Sequence, residues 1–369
     1  MRRPLNILLI ILTAAQYAYP QIQREPKKSD AIGKALSEVV NRGEAPGMIA
    51  AIISGDGVIA IGSAGVRKVG SDIPLTSNDL VHLGSCTKAM TGMMLATLVS
   101  EGKLTWDMKL TDAIPELQNS VHPGFQDITL WQLLTHRAGL PQNPSDWDAH
   151  ITMEIKERRL AILKDNLSAP PAIKPGEFNY SNFGYMIAAC IAEQVTGLSW
   201  ESLMKQRLFD PLGMASAGFG EPDSHQTTDQ PWGHSRSGAK WQPDRSYDAE
   251  AIGPAGEIHC TVEDWAKFLS LQLIAGNSIL EQKYLNKLVE PVGFYACGWG
   301  IVEDLPWAKG NVLTHNGSNG IWYATVIVAP GLDRACVVVT NSRDFSNTGD
   351  ICSKMITKLV KLDLNNNTK

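Results

Sequence analysis

The strand-forming signal of this chain is split between its two ends. Residues 48–53 and 58–62 are rich in Ile, Val and Ala and are joined by Gly55-Asp56-Gly57, which reads as a hairpin. Comparable runs return only at 312–314, 321–328 and 336–340, the last two separated by the turn Pro330-Gly331-Leu332-Asp333. Helical patterns and proline-punctuated loops fill the space between: 110–114, 129–134, 152–163, 182–196 and 199–208, with polar 219–247 reading as a surface excursion. A helix over 30–41, capped by Ser29 and stopped by Gly43, puts Ile32, Leu36, Val39 and Val40 on one side, and a second over 351–360 closes the chain. Edges that far apart in sequence must still be paired or covered. The economical solution is an α+β fold: one antiparallel sheet formed by both chain ends with flanking helices, plus an inserted, mostly helical subdomain. The expected division is 29–75 and 250–362 for the sheet subdomain and 76–249 for the helical one, with the site in the cleft between them.

Early in the insertion stands Gly84-Ser85-Cys86-Thr87-Lys88, followed by an apolar run to Val99 that Gly102 closes. This predicts a core helix with Ser85 in its first turn and Lys88 three residues on, sharing its face. A buried ammonium is costly unless paired or deprotonated, and desolvation makes lysine a usable base. A serine hydroxyl needs such a base to become a nucleophile, and free N–H groups at a helix start favour an oxyanion beside it. Three other Ser-x-x-Lys spacings occur, at Ser100/Lys103, Ser202/Lys205 and Ser237/Lys240, but only the Ser85 copy opens a buried helix.

Further pieces of a hydrolytic site follow in order. The segment from Pro175 to Tyr185 is a turn running into a helix, with Tyr180 placed to move a proton at Ser85 and Asn182 to hydrogen-bond Lys88 and a substrate. Tyr284 and Asn286 share that spacing but sit in a plain amphipathic helix. His315-Asn316-Gly317-Ser318-Asn319-Gly320 ends one strand and leads into the next. Gly317 would let a substrate lie along the strand, and the Ser318 N–H could join that of Ser85 as an oxyanion hole.

Composition narrows the alternatives. The 369 residues, 44% apolar, can bury a sizeable core, and the net charge of −5 comes without a basic cluster, so no nucleic-acid partner is expected. The histidines are scattered, and no H-E-x-x-H, P-loop, dinucleotide fingerprint or G-x-S-x-G elbow is present, so neither a metal nor an organic cofactor is expected. Residues 1–20 read as a signal peptide: Arg2 and Arg3 precede a mostly apolar 5–15 and small residues at 13–15 and 18. That run is short for a membrane span, so an exported, periplasmic or secreted protein without a span after cleavage is expected. Residues 21–28 read as a loose leader. Six cysteines show no metal-type spacing, and Cys86, Cys190 and Cys336 lie in apolar segments that suit buried thiols.

Ser85-x-x-Lys88, Tyr180-x-Asn182 and His315-x-Gly317, in this order and on these elements, resemble the three motifs of the serine β-lactamase and penicillin-binding protein superfamily, with the Tyr-x-Asn form similar to class C enzymes and their esterase and peptidase relatives. The stretches 128–141, 209–214, 253–256 and 298–300 extend the likeness over roughly 30–360. The resemblance implies that Ser85 is acylated, that Lys88 and Tyr180 share acid and base duties, that Asn182 orients Lys88 and substrate, and that the Ser85 and Ser318 N–H groups bind the oxyanion. It also suggests that Gln142 touches the substrate. One departure stands out: class C β-lactamases have Lys where this chain has His315, and a mostly neutral imidazole offers little attraction to a carboxylate. The expected enzyme is therefore a serine hydrolase acting on an ester or amide of a small-molecule or peptide substrate, leaning toward esterase or peptidase. A β-lactamase or D-alanyl-D-alanine carboxypeptidase is the alternative, and a non-hydrolytic penicillin-recognising sensor the alternative of another class.

Overall fold

The computed structural model describes residues 27–222, 228–245, 249–273 and 279–367. The expected signal segment, 1–20, lies outside them. Of the expected leader, Lys27–Lys28 is described and is not loose: it pairs in parallel with Ala60 and Ile61.

The two chain ends do meet in one sheet. Its spatial order is Lys27–Lys28, Gly57–Gly65, Gly47–Ser54, Arg334–Thr340, Tyr323–Ala329, Gly310–Ser318, Gly300–Leu305. Every pairing except the first is antiparallel. The junction of the two ends is Gly47–Ser54 against Arg334–Thr340, with Ala51 opposite Val337 and Met48 opposite Thr340. These central strands read as unbroken apolar runs because both of their faces are covered. Successive residues serve opposite sides: Met48, Ala50, Ile52, Cys336 and Val338 pack under the terminal helices, with Ile32, Leu36, Cys352 and Leu359. Ile49, Ala51, Ile53, Val337 and Val339 face the main core, which runs on without a break into the helices of the middle of the chain. A slip of one residue would exchange the two sets, so the register is strongly specified.

The first helix, Asp30–Asn41, takes its N-cap from Ser29, whose Oγ accepts from the Ile32 N–H at 3.3 Å. Thr87–Ser100 is buried from Thr87 through Leu98, so it has no polar face to orient it. It packs against Asn182–Thr196, a second core helix that Ser181 caps through the Gly184 N–H and Gly197 ends at φ +75°. Among the described residues, no helix is long and apolar enough to cross a membrane.

Several boundaries differ from expectation. The helix placed at 152–163 is Ile155–Leu167, and the closing helix extends to Thr348–Asn367. The stretch read as a surface excursion contains a hairpin, Gly233–Ser237 with Lys240–Asp244, turned at Gly238 with φ +61°. Its sequence is too polar to show a hydrophobic period. Three short strands, Val81–His82, Ile258–Cys260 and Gly218–Phe219, form a small sheet that the sequence does not announce. The edge strand Gly300–Leu305, mostly outside the core, was likewise invisible to composition.

Candidate active site

Ser85 sits in a tight turn, Gly84–Cys86, just before the core helix rather than inside its first α-turn. Gly84 takes φ +51°, and its N–H donates to His82 Nδ1 at 3.1 Å. That left-handed backbone favours glycine, and space demands it too: a Cβ on Gly84 would collide with the Ser318 N. From the other side, a Cβ on Gly317 would collide with the Leu83 carbonyl and lie 2.8 Å from the Ser85 N. Gly317 therefore exists to press the strand Gly310–Ser318 against the Ser85 turn. This corrects the expectation that its bare backbone serves a substrate directly, since Gly317 is buried. The strand ends within the segment 315–320, as expected, at Ser318, which pairs with Tyr323.

Lys88 is fully buried, and burial holds its ammonium well below the ordinary lysine range. Its Nζ has three neighbours: Asn182 Oδ1 at 2.7 Å, the Ala255 carbonyl at 2.8 Å and Ser85 Oγ at 3.0 Å. A neutral amine has two N–H bonds and one lone pair. Two of the neighbours are carbonyl oxygens that can only accept, so they take both N–H bonds. The lone pair is left for the third, the Ser85 hydroxyl, which can donate. Asn182 is itself fixed, because its Nδ2 donates to Asn143 Oδ1 at 2.8 Å and its backbone N–H to the Gln142 carbonyl at 2.7 Å.

The Tyr180 hydroxyl lies on the same serine. Burial pushes its phenol upward, and its hydrogen bond with Ser85 draws it partly back. The Lys88 Nζ stands 4.8 Å from the Tyr180 ring centroid. Tyr180 is held by a residue singled out by no sequence argument, His136. The His136 carbonyl accepts from the Asn179 N–H at 2.8 Å and its Nδ1 from the Ser181 N–H at 3.1 Å, so the backbone is gripped on both sides of Tyr180. Its ring packs 4.4 Å from that of Tyr180 and 4.7 Å from that of Tyr295. His136 adopts φ +59° and is buried, and desolvation drives its pKa down to about 2. It is a neutral aromatic brace.

His315 is buried as well, and its pKa is pushed down to about 3, chiefly by burial and secondarily by Lys88. Its Nδ1 donates to the Asn316 carbonyl at 2.7 Å, which leaves Nε2 to accept from the Tyr295 hydroxyl at 3.1 Å. Both ring nitrogens are occupied, so His315 has no free donor to offer a substrate in this structure.

A cavity of about 290 Å³ opens onto Ser85, walled by Asn143, Trp147, Asn182, Ser318 and Asn319 among others. The structure thus brings Ser85, Lys88, Tyr180, Asn182 and Ser318 together, with Gly317 and His315 behind them. Gln142 is different: its side chain is exposed and its carbonyl caps the Asn182 helix, while the next residue, Asn143, reaches the cavity. The other Ser-x-x-Lys pairs are structural. Ser100 Oγ donates to the Thr97 carbonyl, Ser202 joins the Ser199 cap, and Ser237 faces Lys240 across the hairpin. All six cysteines are buried and unpaired, so no disulfide constrains the site.

Comparison with known proteins gives the family and the fold. A family profile described as Beta-lactamase matches residues 32–352. Penicillin-binding protein 4 of Amycolatopsis lactamdurans is 24% identical over 297 residues, which span 76% of each chain. A beta-lactamase of Escherichia coli K12 is 27% identical over 268 residues, 72% of this chain and 65% of that one, so the chain spans just under two thirds of that relative. An octameric penicillin-binding protein homologue from Pyrococcus abyssi superposes with a TM-score of 0.76 at 25% identity, covering 91% of this chain and 78% of its own. With the profile reaching from the first helix to the last and spanning both Ser85 and the buried Lys88 beside it, the chain belongs to the β-lactamase family of serine hydrolases.

Proposed function

We propose that this chain is an exported hydrolase that cleaves an ester or amide through an acyl-enzyme on Ser85. The observation that carries this reading is the coordination of Lys88, with two carbonyl acceptors and one hydroxyl around a desolvated amine. As Ser85 Oγ attacks the substrate carbonyl carbon, its proton passes to the Lys88 lone pair. The carbonyl oxygen takes the negative charge and is met by the Ser85 and Ser318 N–H groups. Collapse breaks the bond to the leaving group, which receives the proton from Lys88 by way of Tyr180. Water then attacks the acyl carbon, gives its proton along the same route, and releases a carboxylic acid and free Ser85. Asn182 holds Lys88 and the substrate, and His136 and His315 hold the aromatic wall around Tyr180.

The substrate preference follows from charge. His315 is neutral and turned to Tyr295, and none of the described residues lining the cavity is Lys, Arg or His. Carboxylate-bearing β-lactams find no cation there, which favours neutral acyl donors. β-Lactam hydrolysis is the second reading, supported by the beta-lactamase named among the relatives. Purified mature protein assayed side by side on 4-nitrophenyl butyrate, nitrocefin and a D-aminoacyl amide separates them. The proposal expects kcat/KM for the ester or amide to exceed that for nitrocefin, with turnover rather than a single burst. A dominant nitrocefin activity would make this a β-lactamase, and acylation without turnover would make it a sensor. Export rests on Arg2, Arg3 and the apolar run after them. N-terminal sequencing of exported protein should begin between Gln16 and Gln23, whereas intact Met1 on cytosolic protein would contradict it.

A further inference from the structure

Among the described residues that line the cavity there is no cationic side chain and one carboxylate. Glu257 follows the turn Gly253–Gly256 and lines the same cavity as Ser85. The turn passes close to the nucleophile, since a Cβ on Gly256 would lie 4.0 Å from the Ser85 N. Glu257 is 8% exposed, and its side chain makes no hydrogen bond among the described residues. Its nearest charged or titratable neighbour is His82, with Nε2 3.5 Å from Glu257 Oε2. His82 Nδ1 already accepts from the Gly84 N–H, so the histidine ties Glu257 to the Ser85 turn.

The other acidic side chains nearby are committed. Glu221 accepts from Asn319 Nδ2 at 2.9 Å and from Trp322 Nε1 at 3.3 Å. Glu250 pairs with Arg158 at 3.4 Å, and Glu201 with Arg159 at 2.5 Å. Glu257 alone in this group presents a carboxylate to the cavity without a cationic side chain or a hydrogen-bond donor closer than His82. A buried carboxylate whose one charged neighbour is a histidine at 3.5 Å is incompletely compensated, and a ligand that brings a positive charge against it recovers part of that cost. A charge-assisted hydrogen bond from an ammonium satisfies it, while a substrate carboxylate would meet it with repulsion.

We propose that Glu257 is a specificity-determining residue that receives the ammonium group of the substrate, so that the preferred acyl donors are aminoacyl esters or amides with a free amine. This rests on the proposed hydrolase reading and names its substrate class. Neutral esters remain substrates, without the added attraction.

The test compares alanyl 4-nitroanilide, in both enantiomers, with its N-acetylated counterpart and with 4-nitrophenyl butyrate. The wild type should favour the free amine of at least one enantiomer over its N-acetyl form by at least about tenfold in kcat/KM. Glu257→Gln should erase that preference, mainly through KM, and leave butyrate hydrolysis within about threefold. Glu257→Asp, which keeps the charge, should retain part of it. If Glu257→Gln fails to fold, inhibition of wild-type butyrate hydrolysis by alaninamide against N-acetylalaninamide gives the same answer, with the free amine binding more tightly. No preference in the wild type, a preference that survives Glu257→Gln, or equal losses on all substrates would overturn the assignment. Fluorophosphonate labelling of each protein separates the two levels of failure. Ser85 labelled without an amine preference sinks the Glu257 assignment alone, and no label on Ser85 sinks the hydrolase reading with it.

Discussion

Lys88 can act as a base because the fold gives it no counter-ion. Its neighbours are two carbonyl oxygens and a hydroxyl, none of them charged, so burial dominates and the neutral amine is favoured. The direction of the pH effect follows: protonation removes the lone pair, so kcat/KM should fall as pH drops through the depressed Lys88 value, and Lys88→Arg should be inactive at every pH. Lys88→Ala and Tyr180→Phe should each lower kcat by at least about a hundredfold, and the double variant should lose far less than the product of the two. Multiplicative losses measured in steady state would show that the two act separately. His136 works through Tyr180: His136→Ala should lower kcat with little change in KM, and His136→Asn should recover part of it, because an amide can still accept from the Ser181 N–H. Equal recovery by His136→Leu would reduce His136 to packing. At this scale Ser85, Lys88, Tyr180 and Asn182 are legible in the sequence because each pair lies within one local turn. His136 and Tyr295 are not, because their value comes from packing against residues distant in the chain. The Gln142 reading missed by one residue: a loop's side-chain direction depends on dihedrals that no periodicity encodes, and the loop turns Asn143 inward.

The elements meet at points where no side chain fits. Gly317 faces the Leu83 carbonyl, Gly84 faces the Ser318 N, and Gly298, at φ +77°, abuts the backbone of Ala89. In each case the obstacle is backbone, which cannot rotate away. Gly317→Ala should therefore push the strand off the Ser85 turn, cutting kcat at least tenfold and lowering Tm by several degrees, since about 1 kcal/mol moves Tm by a few degrees in a chain of this size. Gly33, where an added Cβ meets nothing within 4 Å and the backbone is not left-handed, is the control for crowding. Unchanged kcat in Gly317→Ala would contradict the close-approach account. Central strands such as Gly47–Ser54 were legible because a doubly covered strand must be apolar throughout. The hairpin Gly233–Ser237 with Lys240–Asp244 and the small sheet around Ile258–Cys260 were not, since two- to five-residue strands carry too few side chains to establish a period.

Over the whole molecule, the site is assembled from groups that resist protonation, and stability should register it. His315 and His136 fall from 6.5 to about 3 and about 2, so between those values and 6.5 the unfolded chain binds protons that the folded chain refuses. Stability then rises with pH across that window and is lost as pH falls below 6.5, by up to roughly 1.4 kcal/mol per pH unit for each histidine. Lys88, also depressed, adds a slope of the same sign that ends near its ordinary value of 10.5. Denaturant titrations between pH 4 and 7 should show a shallower acid loss in His315→Gln, and parallel curves would place the acid sensitivity elsewhere. The union of both chain ends in one sheet was legible from the position of the strand signals, and the continuous core that joins it to the middle helices was not, because only tertiary packing defines it. All of this serves one hydroxyl. The direct measurement is peptide mass mapping after reaction with a fluorophosphonate across a pH series, in wild type, Ser85→Ala and Lys88→Arg. The account predicts one labelled peptide, containing Ser85, with a rate that falls toward acid pH, no label in Ser85→Ala and almost none in Lys88→Arg. Labelling that persists in Ser85→Ala, or that proceeds unchanged in Lys88→Arg, would contradict it.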